Sequence, residues 1–304
     1  MLAITKLHIN RLSAPTGVAG PAALTWALES DQRDVLQKAY QIQIFRRGEI
    51  SPVYDTGMVS GSQSVDVPVT VQWADVTPYT VRVRVLAGSE TSAWREAAFV
   101  TGFQNIRAWR GKFISAEPET DRNQSYGTML RKEFTLSKPV KEAWLVSSAH
   151  GIYHCLLNGQ KVTLDELSPG WTSYNKRLLY QTWEVTSLLR PGGNVLGVML
   201  GAGWYKGLIG YKHNRNLYGT RTAFGGQLLV RYEDGSEEWI VSDESWQGSK
   251  SPVLFSEIYD GETYDARLEQ SGWTLPGFDG SGWFPTEMVE RDLSTLFPQS
   301  HPPV

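Results

Sequence analysis

Hydrophobic and polar positions alternate in short runs along the first third of the chain. The segments AALTWALES, AYQIQIFRRGE, SQSVDVPV, YTVRVRVLAG and AAFVTGF are alternating or rich in β-branched residues, and Gly, Pro, Asp and Ser separate them. That is the signature of strands joined by turns. In YTVRVRVLAG, Val81, Val83 and Val85 fall on one side and Arg82 and Arg84 on the other, as a half-buried antiparallel strand requires. The next stretch, QNIRAWRGKFISAEPETDRNQS, is polar and has no sustained period, so it marks a junction. A new strand pattern opens at GTMLRKEFTL and continues through KEAWLVSSAHGIYHCLLNGQKV.

Two turn signals organise the second pattern. Asn158-Gly159 lies between apolar runs, where a two-residue hairpin turn needs positive φ at both positions. Asp234-Gly235 repeats the device between GQLLVRY and EEWIVSD. VTSLLRPGGN predicts a single helical turn closed by Pro191 and two glycines, and nothing else predicts a long helix. The expected architecture is all-β. Residues 1–103 read as a fibronectin type III-like sandwich, with Trp26 and Tyr79 as core residues, and 104–126 as a linker and entry strand. Residues 127–293 read as an antiparallel sandwich of jelly-roll type. DLSTLFPQSHPPV offers no closing strand, so residues 294–304 read as the start of a truncated following domain.

Composition narrows the function. The chain has 304 residues, 41% hydrophobic and 20% charged, which is ordinary for a globular protein and enough for two domains. A net charge of -3 disfavours a general nucleic-acid binder. No segment is apolar for long enough to cross a bilayer, and MLAITKLHINRLSAPTG lacks the apolar core of a signal peptide. Cys155 is the only cysteine, which suits a reducing compartment and makes the cytoplasm the expected location. Twelve tryptophans offer both core volume and rings for stacking.

Familiar catalytic signatures are missing. With one Cys and five scattered His, no metal site is expected, and neither is any cofactor. No P-loop, nucleophile elbow or dinucleotide fingerprint is present; GAGWYKG follows a strand, but no helix is expected after it. YDGETYDAR holds Asp260, Glu262 and Asp265, yet Asp265 and Arg267 share a face of an extended segment. Glu262, Asp265 and Arg267 are therefore structural ion-pair candidates. No carboxylate pair reads as catalytic. LGAGWYKGLIGYKHNRNLYG, by contrast, is an aromatic, glycine-rich loop at a strand end, where functional loops tend to sit.

LSPGWTSYNKRLLYQTWEVTSLLRPGGNVLGVMLGAGWYKG, with GIYHCLLNGQKV before it and YDGETYDAR after it, resembles the amino-terminal region of bacterial α-L-rhamnosidases of glycoside hydrolase family 78. The matching residues are Gly151, Tyr153, Asn158-Gly159, Pro169 to Thr172, Tyr174, Arg177, Tyr180, Val185-Thr186, Gly203 to Tyr205, Gly261-Glu262 and Tyr264 to Arg267. The resemblance covers about 110–300 and implies a parent enzyme that removes terminal rhamnose from rhamnosides. It also implies that the two catalytic glutamates lie in a downstream (α/α)₆ barrel, so no residue of this chain is expected to be catalytic. The direct run from GKFISAEPE to MLRKEFTL leaves no room for the calcium-dependent rhamnose-binding insertion of some relatives. Candidates for carbohydrate contact or docking against the barrel and other β-domains are Trp171, Tyr174, Trp204, Tyr205, Tyr211, Asn214, Arg215 and Tyr218, with Lys206 beside them. Packing is the expected role of Trp204, and Tyr211 to Arg215 the expected exposed part. The alternative reading is a free-standing carbohydrate-binding module.

Overall fold

A computed structural model describes residues 1–301, which divide into two compact units, Met1–Asn105 and Ile106–Gln299. Both are β-sandwiches. In the first, a three-stranded sheet of Leu2–Ile9, Ala22–Ser30 and Val67–Val69 faces a larger sheet. The spine of the larger sheet is Thr16–Val18, Arg95–Thr101, Pro78–Ala87 and Gln37–Arg46. Val81, Val83 and Val85 are fully buried beside Ile42, Ile44 and Trp26. Each such side chain stabilises the fold by roughly 1.5–3 kcal/mol. Arg82 and Arg84 take the opposite face, and both guanidinium groups lie 4.6 Å from the ring of Trp94. Trp26 reaches Gln37 Oε1 through its indole N–H at 2.9 Å, which satisfies its one polar atom inside the core.

The second unit pairs two larger sheets. One runs in the order Glu287–Val289, Phe113–Ser115, Ala223–Tyr232, Val140–His150, Leu178–Glu184 and Leu296–Pro298, with Glu237–Val241 also paired to Ala223–Tyr232. The other runs Gln160–Lys161, Ile152–Leu157, Gly192–Gly201, Thr128–Leu136, Gln247–Lys250 and Phe284–Pro285. Their facing sides bury Leu130, Leu145, Tyr153, Cys155, Val198, Phe224 and Trp246. Ala143–His150 is buried on both faces, so this central strand shows no alternation in exposure.

The strand within 104–126 is Phe113–Ser115, whose three residues are buried within the sheet. Three sequence expectations change here. The segment 292–304 carries a strand after all: Leu296–Pro298 pairs in parallel with Leu178–Tyr180, so the sandwich is not purely antiparallel. Pro302, Pro303 and Val304 lie outside the described residues. A one-turn helix, Gly203–Lys206, follows GA where none was expected. Asp234-Gly235 does form a hairpin, but only Gly235 has positive φ (82°), and Tyr232 and Ser236 close a longer loop around the pair. Two-residue turns need both central positions left-handed; Asp234 instead accepts a bond from Ser236 N–H at 2.9 Å.

Asn158-Gly159 does adopt the two-residue turn, at φ 52° and 84°. Its side chain adds tertiary bonds: Nδ2 donates to Leu188 O (2.9 Å) and to Asn194 Oδ1 (2.7 Å), and Oδ1 accepts from Val195 N (3.0 Å). Asn158→Ala loses these bonds inside the core and keeps the unfavourable φ. It is expected to destabilise the second unit by roughly 3 kcal/mol in urea melts. A loss below about 1 kcal/mol rules out this role.

Candidate functional site

The candidate site is the loop that leaves strand Gly192–Gly201 and returns at Ala223–Tyr232. Its backbone is fixed by two buried carboxylates that lie far away in sequence. Glu117 forms a buried ion pair with Lys206 and accepts from Thr222 N at 2.8 Å and Thr222 Oγ1 at 3.1 Å. Glu257, whose side chain is wholly buried, accepts from Arg215 at 2.9 Å and Leu208 N at 2.6 Å, and also from the Ser125 hydroxyl. Arg215 Nη1 donates to Ser125 Oγ at 2.6 Å. The loop is therefore held at Lys206, Leu208, Arg215 and Thr222. Burial, with the Arg215 and Arg221 charges adding to it, pushes the Lys206 ammonium down to about 7.

Aromatic rings fill the space beneath. Tyr205 stacks on His150 with centroids 4.5 Å apart and planes 7° off parallel, and Phe113 stacks on the other side of His150 at 4.8 Å. Tyr174 meets Tyr205 edge-on at 5.5 Å and Tyr218 at 4.9 Å, and its hydroxyl donates to Gly170 O at 2.7 Å. A Cβ on Gly219 would sit 2.3 Å from Tyr205 Oη, so only glycine lets the returning chain cross that ring. Trp171 and Trp204 stack almost in parallel at 5.9 Å, and Trp171 Nε1 donates to Tyr218 Oη at 3.3 Å.

The structure thus joins five of the candidates, Trp171, Tyr174, Trp204, Tyr205 and Tyr218, into one cluster. Tyr174 and Tyr205 are buried within it, while Trp171 is 52% exposed. Tyr211 stands apart at the loop tip, 99% exposed, and Asn214 is exposed near it, held by backbone bonds to Ile209. Lys206 and Arg215 correct the expectation that they meet sugar hydroxyls or solvent. Both point inward, because the carboxylates they neutralise are buried. Asp265 and Arg267 pair at 2.6 Å, with Asp265 extended and capping the 3-10 turn that carries Arg267. The pair is solvent-exposed and contributes little. Glu262 has no ion pair among the described residues, so its place among the pairing candidates is withdrawn.

Glu117, Ser125, Glu257 and His150 escaped the sequence reading. Each is a single polar residue in a β pattern or a loop, and its partner is distant in the chain. His150 is the least expected: 2% exposed, with no hydrogen-bond partner on either ring nitrogen among the described residues. Burial, reinforced by the Arg291 charge, pushes it down to about 3. No three His, Cys, Asp or Glu side chains converge as metal ligands among the described residues.

With this geometry established, similarity to known proteins decides the family. Residues 138–304 match the model for the α-L-rhamnosidase N-terminal domain. The chain belongs to that family. Residues 4–105 match the Rha78A-like N-terminal immunoglobulin domain. An α-L-rhamnosidase of Streptomyces avermitilis is 44% identical over 170 residues, covering 56% of this chain and 16% of that protein. One from Formosa agariphila is 32% identical over 281 residues, covering 85% of this chain and 30% of the relative. The crystal structure of an α-L-rhamnosidase from Aspergillus terreus superposes with a TM-score of 0.93 at 33% identity, covering 100% of this chain and 36% of that one. The chain therefore spans about a third or less of the length of these relatives. No helix among the described residues is long and apolar enough to cross a membrane.

Two outcomes test the site. Arg215→Ala leaves the Glu257 carboxylate buried without its cation. It is expected to cost about 3–5 kcal/mol and to speed chymotrypsin cleavage after Tyr211. Unchanged stability and cleavage would show that the clamp does not hold the loop. His150 binds fewer protons folded than unfolded below its ordinary 6.5. Its contribution is therefore fully present above that pH and is lost as pH falls towards 3, by roughly 2 kcal/mol between pH 7 and 5. His150→Phe keeps the stack and should shrink the stability difference between those pH values by that amount; an unchanged difference in urea melts refutes it.

Proposed function

We propose that the chain is the N-terminal portion of an α-L-rhamnosidase that hydrolyses terminal α-L-rhamnose from rhamnosides, and that it supports a downstream catalytic (α/α)₆ barrel and β-domains. The observation that carries this reading is the match, over the whole chain, to the corresponding third of the Aspergillus terreus enzyme at a TM-score of 0.93. The hydrolysis itself belongs to a general acid and a general base across the sugar, which this reading assigns to the barrel. Residues here hold structure: Glu117 and Glu257 fix the loop, and Trp171, Trp204, Tyr218 and Tyr211 present rings at its surface. We assign those rings to domain docking, because Lys206 and Arg215, which could bind sugar hydroxyls beside them, are turned inward. In the same reading the first unit is a fibronectin type III-like module and the second a jelly roll. A cytoplasmic location suits the single, buried, unpaired Cys155. A free-standing carbohydrate-binding module is the poorer account, since the curated relatives are rhamnosidases that extend far beyond the matched region.

The test replaces the matching N-terminal third of the Aspergillus terreus enzyme with this chain. The chimera is expected to cleave an aryl α-L-rhamnoside, and the 304-residue chain alone to give no turnover. A folded but inactive chimera, or turnover by the isolated chain that Glu262→Gln abolishes, overturns the reading.

A further inference from the structure

A concavity lies beside the start of the aromatic loop, on the outer face of the six-stranded sheet. In that sheet Ile152 is paired with Gly201 and His154 with Met199, and these positions point outward and are only partly covered. Beside them stands the hairpin Val253–Glu257 and Gly261–Tyr264, in which Ser256 lies directly opposite Glu262. Cross-strand partners share a face, so this hydroxyl and this carboxylate project together. Sheet face and hairpin enclose a cleft of about 210 Å³, with Glu166 and Leu167 on its rim. Gly201 keeps its floor open: a Cβ there would lie 3.3 Å from Ile152 Cγ1 and 3.8 Å from Ser256 Oγ.

The polar groups around the cleft are unevenly engaged. His154 Nε2 meets Glu166 Oε2 at 2.9 Å, and Lys161 meets the other oxygen at 3.3 Å, so Glu166 is neutralised. Burial holds the His154 pKa below its usual value despite Glu166. The ring is therefore neutral at pH 7, and with Nε2–H on Glu166 its Nδ1 is left as an acceptor. The Glu262 carboxylate and the Ser256 hydroxyl have no partner among the described residues. Three free polar groups thus face a floor of Ile152 and Met199.

We propose that this cleft is a binding subsite for one neutral sugar ring. A sugar offers hydroxyls to Glu262, Ser256 and His154 Nδ1 and an apolar C–H edge to Ile152 and Met199. The unpaired carboxylate repels anions, and the side chains present do not converge as a divalent-cation site needs. No ring lies open on the floor to stack a flat aromatic ligand. The volume suits one ring rather than a chain of them. That the sugar is L-rhamnose rests on the function proposed above; the cleft chemistry does not.

The experiment titrates the 304-residue chain with methyl α-L-rhamnoside and, separately, D-glucose, followed by NMR, with thermal melts to confirm folding. Saturable binding in the roughly millimolar range is expected for the rhamnoside. Glu262→Gln is expected to weaken it roughly tenfold, and Gly201→Leu, which fills the cleft, to abolish it. Ile50→Ser, on the exposed surface of the first unit, should leave it unchanged. Binding of D-glucose instead, with the same dependence on Glu262, upholds the subsite and counts against the rhamnosidase reading. Absence of binding by either sugar to the folded chain, or binding indifferent to Glu262→Gln, overturns the subsite.

Discussion

The second unit depends on keeping two carboxylates out of water. Glu117 and Glu257 are both buried, and each is surrounded by donors from the loop that follows strand Gly192–Gly201. A buried ion pair of this kind adds little net stability, because desolvating the charges offsets most of their attraction. Removing one partner, however, is strongly unfavourable. The pairs therefore act as a constraint. Any arrangement of the loop that withdraws Lys206, Leu208 N–H or Arg215 leaves a charge stranded, so one arrangement is selected.

That constraint divides the aromatic residues. With Lys206 and Arg215 drawn inward, Tyr205 is carried under the loop onto His150, and Tyr174 and Tyr218 close around it. The rings left outside are Trp171, stacked on Trp204, and Tyr211 at the tip. Lys206 and Arg215 thus lie inside with Tyr205, while Trp171 and Tyr211 stay at the surface. The exposed tip of the loop sets Tyr211 beside Lys212 and His213.

His150 shows the cost of covering a sheet on both faces. The central strand Ala143–His150 is buried throughout, so the outward positions must be apolar or bonded. Ser148 meets this by donating to Leu179 O at 2.7 Å. His150 does not; it lies between Phe113 and Tyr205 as a flat neutral ring. Its stacking is retained, and its unpaired nitrogens make the site sensitive to acid.

Alternation, turn residues and spacing were enough to read the all-β class, most strands and the Asn158 hairpin, because these depend on neighbours in the chain. The motif from Leu167 to Gly207 was enough to suggest the family, since its glycines, prolines and aromatics occur in a specific order. The short edge strand Leu296–Pro298 was not legible, as three residues carry too little periodicity to stand out. Nor was the loop site. Glu257 and Arg215 are 42 positions apart, and Glu117 and Thr222 are 105 apart. Nothing local marks either carboxylate as buried. Which basic residues turn inward, and which rings stay outside, was decided only when the sheets brought those distant positions together, because the energy of a charge depends on the water around it and not on its neighbours in sequence.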